Sequence, residues 1–137
     1  MTYCTQQHLI DRYGEAELIE LTDRADLGVI DTVVIDAAIT RASAKIDGYC
    51  RARYQLPLSV VDDLVIGIAC DIARAYLYDD QIPEVVAGRH ADALVALREI
   101  ATGKIRLAAA LVTSGSDGMP QFQPGTRVFS RDNLKGF

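Results

Sequence analysis

Residues 31–58, DTVVIDAAITRASAKIDGYCRARYQLPL, carry the clearest secondary-structure signal in the chain. Asp31 is one of the residue types preferred as a helix N-cap. After it, apolar residues recur at spacings of three and four, which places them on one helical face. Pro57 disfavours helical geometry in the residue before it, so the helix ends at or before Leu56. The stretch predicts one long helix whose buried face comprises Ile35, Ala38, Ile39, Ala42, Ile46, Tyr49 and Cys50.

Two shorter helices are predicted before this stretch. Thr5 is a suitable N-cap for a helix over residues 6–13, and Gly14 ends that helix. The segment EAELIEL, residues 15–21, forms a second helical piece before the polar turn TDRAD.

Two further helices are predicted after it. Ser59 caps the first, with Asp62 and Asp63 in the first turn, where the helix dipole favours negative charge. Pro83 takes the first position of the second helix, and Gly103 ends it. The residues predicted to be buried are Val61, Leu64, Val65, Ile68, Ile72 and Tyr76 on the first of these helices, and Val86, His90, Ala93, Leu94, Leu97 and Ile100 on the second.

These elements predict an all-α fold, a small bundle of four to five helices spanning residues 1–112. The composition then changes, because SGSDGMPQFQPG, residues 114–125, is rich in Gly, Pro and Ser, as linkers are. Residues 113–137 are therefore predicted to be a flexible linker followed by an extended C-terminal arm able to form a β-strand. A lone short strand is unstable, so the arm either folds back or joins a neighbour's sheet edge. The arm residues expected to act in assembly are Arg127, Val128, Phe129, Arg131, Leu134 and Phe137.

Composition and charge limit the possible functions. Half of the 137 residues are apolar and 24% are charged, which is ordinary for one globular domain. No apolar run approaches the ~18 residues of a membrane helix, and the polar N-terminus lacks the apolar stretch of a signal peptide. We therefore expect a cytoplasmic protein with no membrane partner. The net charge of −5 opposes overall binding to duplex DNA.

Arg51 and Arg53, at the end of the long helix, admit two interpretations. Cations interact favourably with the carbonyl end of a helix, so the arginines and Tyr54 fit a helix end with local ion pairs. They also fit a contact with DNA or with a neighbouring subunit. Asp62 and Asp63 open the next helix and weaken the case for a nucleic-acid surface, so the first interpretation is favoured.

Candidate catalytic residues are few. Asp71 falls at the border of a buried helical face, where an ion pair with Arg74 or Arg53 is expected. His90 lies on an apolar face, and no nucleophile with a recognisable motif lies near it. The sequence therefore predicts that the protein is not an enzyme.

The cysteines indicate neither a disulfide framework nor a metal site. Cys4, Cys50 and Cys70 are far apart and odd in number, and the chain has only two histidines. Cys50 and Cys70 are interpreted as small core residues. No metal ion and no cofactor are expected.

Three segments together resemble a family of structural proteins from Mu-like phages and prophages. They are HLIDRYGEAELIELTDR, AAITRASAKIDGYCRARYQLPL and IACDIARAYLYDD, and the ending RVFSRDNLKGF is also similar to that family. The resemblance covers nearly the whole chain, and members resemble the helical head–tail connector, or adaptor, proteins of tailed phages. Cys50 departs from the pattern, where an aliphatic residue is expected.

The resemblance implies a virion protein that works by assembly and brings no catalytic residues. Connector subunits of this type form a ring of about twelve copies under the portal. The ring joins capsid to tail and lines the DNA channel. The implied partners are other copies of the chain, the portal protein, the downstream neck or tail-terminator protein and, transiently, the passing genomic DNA. The implied location is the head–tail neck, reached from the host cytoplasm.

One alternative function is a helical DNA-binding or DNA-packaging accessory protein. It is based on Arg51 and Arg53 together with the arm's Arg127, Arg131 and Lys135.

Overall fold

The computed structural model describes residues 1–112 of the chain. They form five α-helices: α1 Gln6–Tyr13, α2 Glu15–Thr22, α3 Thr32–Cys50, α4 Asp63–Leu77 and α5 Glu84–Thr102. Within these residues the extended pairing is limited to a single antiparallel bridge between Tyr54 and Leu111. The predicted all-α fold is confirmed.

Helix α3 begins where the sequence predicts. The Asp31 carboxylate accepts hydrogen bonds from the backbone N–H groups of Val33 at 3.0 Å and Val34 at 3.5 Å, which satisfies two of the donors that a helix start leaves free. The whole predicted apolar face of α3 is buried except Tyr49, which is half-buried. α3, α4 and α5 pack against one another and form the core of the domain.

Helices α1 and α2 cover the α3–α4 side of this core. Thr5 caps α1 as predicted: its hydroxyl accepts from His8 N, and the His8 ring accepts from Thr5 N in return. Gly14 separates the two helices with a φ of +93°, a backbone conformation that favours glycine. Leu9 of α1 and Leu18 of α2 are both fully buried, so these short helices are held by packing against the core.

Three predicted helix boundaries are wrong by a few residues. α3 ends at Cys50 rather than continuing through Tyr54, because the N–H groups of Arg53 and Tyr54 both turn back to the Cys50 carbonyl. Asp62, not Ser59, is the N-cap of α4, and Pro83 is the N-cap of α5 rather than its first residue. Ser59 has a different partner, described below.

The predicted buried faces of α4 and α5 are largely correct. Val65, Ile68 and Ile72 are buried on α4, as are Val86, Ala93, Leu97 and Ile100 on α5. Leu64 is the clear exception, with 42% of its surface exposed, because it lines an open groove instead of the core. Cys50 and Cys70 are core residues as predicted.

Gly103 ends α5 in a left-handed conformation with φ +88°, and the Arg53 side chain packs closely against it. A Cβ added there would lie 2.9 Å from the guanidinium carbon of Arg53. Gly103→Ala combines this contact with a strained φ, so we expect a loss of about 1–3 kcal/mol in the free energy of unfolding. Urea denaturation of the purified variant measures the loss.

Gly88→Ala is the matched control on the same helix. An added Cβ at Gly88 meets no atom of residues 1–112 within 4 Å, and alanine is the better helix former by about 1 kcal/mol. We expect Gly88→Ala to be neutral or stabilising. Equal destabilisation by the two variants would mean that the left-handed conformation and the Arg53 contact are not the cause.

Candidate assembly site at the anchor of the C-terminal segment

The turn after α3 holds the end of the described chain in place. Tyr54 is 2% exposed, and its hydroxyl oxygen accepts a hydrogen bond from Leu107 N at 2.9 Å. A buried aromatic ring with a satisfied hydroxyl contributes both apolar area and orientation. Tyr54 therefore fixes the segment that follows α5.

Backbone pairing extends this contact. Gln55 N donates to the Ala110 carbonyl at 3.0 Å, and Val112 N donates to the Arg53 carbonyl at 2.8 Å. These two bonds flank the antiparallel bridge between Tyr54 and Leu111. Residues 110–112 thus run beside residues 53–55 as one short antiparallel pair.

Two side chains of the α3–α4 loop complete the anchor. The Ser59 hydroxyl accepts from Ala110 N at 2.8 Å, and the Asp62 carboxylate accepts from Ala108 N at 3.2 Å. Ser59 therefore binds the C-terminal segment instead of capping α4. We use the name C-terminal anchor for the contact of residues 53–62 with residues 107–112.

The N-terminal segment supports the anchor from the other side. The Tyr3 hydroxyl donates to Asp47 Oδ1 at 2.5 Å and accepts from Leu58 N at 3.3 Å. The Tyr3 backbone N–H donates to Ser43 Oγ at 3.0 Å. Burial and the hydrogen bond to Asp47 raise the pKa of Tyr3 to about 12, so this hydroxyl keeps its proton throughout the neutral range. Asp47 therefore binds Tyr3, a residue 44 positions away in the sequence.

The two arginines predicted as contact residues have different surroundings. Arg51 is exposed and is the C-cap residue of α3. Arg53 is half-buried, with its guanidinium against Gly103 at the carbonyl end of α5, where a cation is favourable. Its buried Nε has no hydrogen-bond partner among residues 1–112. Arg53 thus joins the ends of α3 and α5.

Lys104 and Arg106 are exposed in the segment that Arg53 contacts. We call Arg51, Arg53, Lys104 and Arg106 the basic end. Within residues 1–112 the chain carries 11 basic and 17 acidic side chains, a net charge of −6, so a local group of four cations stands out. Sequence reasoning missed Lys104 and Arg106, because only the fold places them beside the turn after α3.

The arm residues Arg127, Val128, Phe129, Arg131, Leu134 and Phe137 lie outside the described residues, as do the whole linker and the predicted strand. The described part of the chain ends at the surface of the domain. Leu111 and Val112 are 54% and 46% exposed, so the last residues of the C-terminal anchor lie at the surface.

The two candidate catalytic residues have structural contacts and are not brought together. Asp71 accepts a hydrogen bond of 2.5 Å from the Tyr13 hydroxyl, so the predicted pairing with Arg74 or Arg53 is wrong. His90 packs edge-on against Tyr76, with ring centroids 6.0 Å apart. Asp71 and His90 line different surface pockets.

Arg74 binds Glu17 of α2 through two hydrogen bonds of 2.7 and 2.9 Å. Its guanidinium also lies 4.3 Å from the centre of the Tyr13 ring. Burial and the hydrogen bond to Asp71 raise the pKa of Tyr13. These contacts hold α1 and α2 against α4. The residues that form them are far apart in sequence, so the sequence alone did not predict them.

Residues 1–112 contain no group of three or more His, Cys, Asp or Glu side chains placed to hold a metal ion. None of their helices is long and apolar enough to cross a membrane. The fold does bring Cys4 beside Cys70. The hydrogen bond between the two thiols, together with burial, raises the pKa of Cys4.

The described residues define a class: a small all-α domain in which residues 107–112 are held against the turn after α3. The family model described as Bacteriophage Mu, Gp36 matches residues 3–120, and the chain belongs to this family. It is 36% identical over 143 residues to gene product J of Escherichia phage Mu, covering 100% of this chain and 99% of that protein. It is 27% identical over 137 residues to the Mu-like prophage FluMu protein gp36 of Haemophilus influenzae, covering 98% and 97%. The predicted Mu-like phage family is confirmed.

Proposed function

We propose that this chain is the subunit of a head–tail connector ring, which assembles under the portal and joins the capsid to the tail. Membership of the phage Mu Gp36 family supports a role in a phage. The contacts of the candidate catalytic residues fit a protein that works by assembly. The proposed place of action is the virion neck, reached from the host cytoplasm.

The observation that carries the proposal is the C-terminal anchor. Five hydrogen bonds to backbone groups hold residues 107–112 against residues 53–62, and the described chain ends at an exposed Val112. A domain that fixes the base of a C-terminal extension so firmly can present that extension to a partner in a defined direction. This is what a subunit reaching toward a portal or a neighbour needs.

At the end of α3 opposite the C-terminal anchor, exposed apolar residues fit contacts between subunits. Leu27, Val29 and Val33 in the α2–α3 loop and the first turn of α3 are 72%, 57% and 75% exposed. A local cluster of large apolar side chains on a surface is typical of an interaction site. In the proposed ring this cluster is available for packing against the next copy.

Light scattering tests the proposal directly. We expect the free chain to have the mass of a small species and to add many copies to a purified portal ring from the same phage. A mixture whose portal peak shows no added mass would argue against the connector role. In that case a function elsewhere in the head would take its place.

A second candidate, a DNA-binding or packaging accessory protein, is favoured by the basic end. Replacing Arg51, Lys104 and Arg106 with Gln removes its three exposed cations. If the basic end binds DNA, gel-shift binding at low salt should fall at least tenfold in this variant, because fewer phosphates are neutralised. The wild-type binding should also weaken steeply as salt is added.

The matched control replaces three other exposed cations, Arg89 and Arg98 on α5 and Lys45 on α3, with Gln. These changes lower the net charge but leave the basic end intact, so they should reduce DNA binding far less. A wild-type chain that shows no shift at low salt would remove the DNA-binding candidate altogether.

A further inference from the structure

An open groove runs between α4 and α5 beside α1, with a volume of about 340 Å³. Its apolar lining includes Leu64, Ile68, Ala93 and Ala96, and Leu64 is 42% exposed. We call it the α4–α5 groove. An apolar leucine left in an open groove of a small domain indicates a surface that an apolar segment can cover.

The charged residues of the groove are mostly acidic. Among residues 1–112, three acids, Asp63, Asp71 and Asp92, and one cation, Arg12, line it. Asp71 accepts from Tyr13, whereas neither Asp63 nor Asp92 forms an ion pair with another side chain of residues 1–112. The groove therefore carries a net charge of −2 and two carboxylates that are available to an incoming cation.

The closing segment of the same chain has the opposite pattern. Residues 126–137, TRVFSRDNLKGF, contain Arg127, Arg131 and Lys135 against one acid, Asp132, a net charge of +2. Val128 and Phe129 supply apolar side chains between the cations. The three cations and one acid of this segment thus complement the three acids and one cation of the groove, and both the segment and the groove carry apolar residues.

We propose that in the free subunit residues 126–137 dock into the α4–α5 groove of their own chain. In this arrangement Phe129 covers the apolar lining near Leu64, and the basic side chains face Asp63 and Asp92. Arg12, whose guanidinium lies over Gly67, is then available to Asp132. While it is docked, the segment is not accessible to a partner, and it must leave the groove before it can bind one.

Chain length favours the chain's own segment over that of another copy. Thirteen residues separate Val112 from Thr126, and a flexible linker of that length has a root-mean-square span of about 20 Å. The α4 side of the groove, from Asp63 to Asp71, is about 12 Å long at 1.5 Å per residue. Asp63 directly follows Asp62, which holds Ala108 in the C-terminal anchor. A short flexible linker gives a millimolar effective concentration, well above that of free neighbours in dilute solution.

A spin label on the arm tests the docking in the full-length chain. The three native cysteines are buried, so Ser130→Cys gives one accessible thiol for labelling. We expect the amide NMR signals of Leu64, Gly67 and Ala96 to lose most of their intensity when the label is paramagnetic. The signals of Gly28 and Val29, in the α2–α3 loop away from the groove, should keep theirs. Uniform, weak losses over all these residues would overturn the proposal.

Charge-neutral variants test the acidic side of the groove. Asp63→Asn with Asp92→Asn, in the labelled chain, should restore at least half of the lost intensity at Leu64 and Gly67. Glu20→Gln with Asp36→Asn removes the same charge from exposed sites elsewhere and should restore none. Added salt should act on the parent chain as the first pair does. Unchanged losses in both tests would overturn the electrostatic basis of the docking.

Mixing distinguishes the two possible sources of the segment. An isotope-labelled chain without a spin label is mixed with a spin-labelled chain at natural abundance. We expect no selective loss at Leu64 or Gly67 in this sample, because each groove holds its own segment. A selective loss would assign the groove to a neighbour's arm and overturn the proposal. The experiment needs no portal, so its failure is independent of the connector role.

Discussion

Removal of residues 114–137 is expected to leave the helical domain folded and to abolish its addition to the portal ring. Residues 1–112 already form a contiguous buried core on α3, α4 and α5, with side chains from Tyr3 to Ala109. The hydrogen bonds of the anchor within residues 1–112 also remain, up to the bond that Val112 N donates to the Arg53 carbonyl. The deletion therefore removes the proposed contact with the portal and preserves the domain that presents it.

Circular dichroism and light scattering separate the two parts of this prediction. The truncated chain should keep the helical signal expected for α1 to α5 and unfold cooperatively in urea. It should add no mass to the portal, whereas the full-length chain should. An unfolded truncated chain would show that residues 114–137 belong to the core.

A full-length variant serves as the matched control for the deletion. Val128→Ser with Phe129→Ser keeps the length and charge of the arm and removes its two adjacent apolar side chains. If apolar contacts drive attachment, this variant should lose most of its binding to the portal at unchanged stability. Full binding by the truncated chain would place the portal contact within residues 1–112 and contradict the proposed role of the arm.

The local elements of the fold could be predicted from the sequence because their causes are local. Thr5 and Asp31 cap their helices through residues two or three positions away, and Gly103 ends α5 by its own backbone freedom. The buried face of α3 follows from the helical period alone. The spacing of apolar residues and the capping residues therefore carry enough information for element type and approximate extent.

The contacts that organise the site could not be predicted, because they join residues far apart in sequence. Tyr3 binds Asp47, 44 residues away, and Tyr13 binds Asp71, 58 residues away. Asp71 illustrates the difficulty: its helical neighbours suggested an arginine partner, yet the partner comes from α1. A helix presents each polar side chain to whichever element packs on it, and only the tertiary structure identifies that element.

The boundary errors have the same origin. Ser59 has the residue type and position of an N-cap, but its hydroxyl is used by Ala110 in the C-terminal anchor. Tyr54 looked like the end of a helix, but its ring is buried beneath residues 107–111. Contacts with residues 107–111 thus determine the conformation of residues 51–62. Local sequence patterns therefore do not predict the structure of the candidate site.

Tyr54→Ala is expected to weaken the domain by about 3–5 kcal/mol, the usual cost of removing a buried aromatic side chain. The ring is 2% exposed, and its hydroxyl is the acceptor for Leu107 N, so the variant leaves both a cavity and an unpaired backbone donor. Residues 107–112 should separate from the domain. Binding to the portal should then fall, although the arm itself is unchanged. Urea denaturation and light scattering measure the two effects.

Tyr54→Phe separates packing from the hydrogen bond. The ring stays, so the loss of stability should be only about 1–3 kcal/mol, the cost of an unsatisfied buried donor. Amide hydrogen exchange should become faster at Leu107, while the amide of Ile46, in the buried middle of α3, should keep its protection relative to the new global stability. If Leu107 is as protected in Tyr54→Phe as in the parent chain, the hydroxyl does not hold the segment. If Tyr54→Ala binds the portal as well as the parent chain does, the anchor does not direct the arm, because its central contact is then dispensable for assembly.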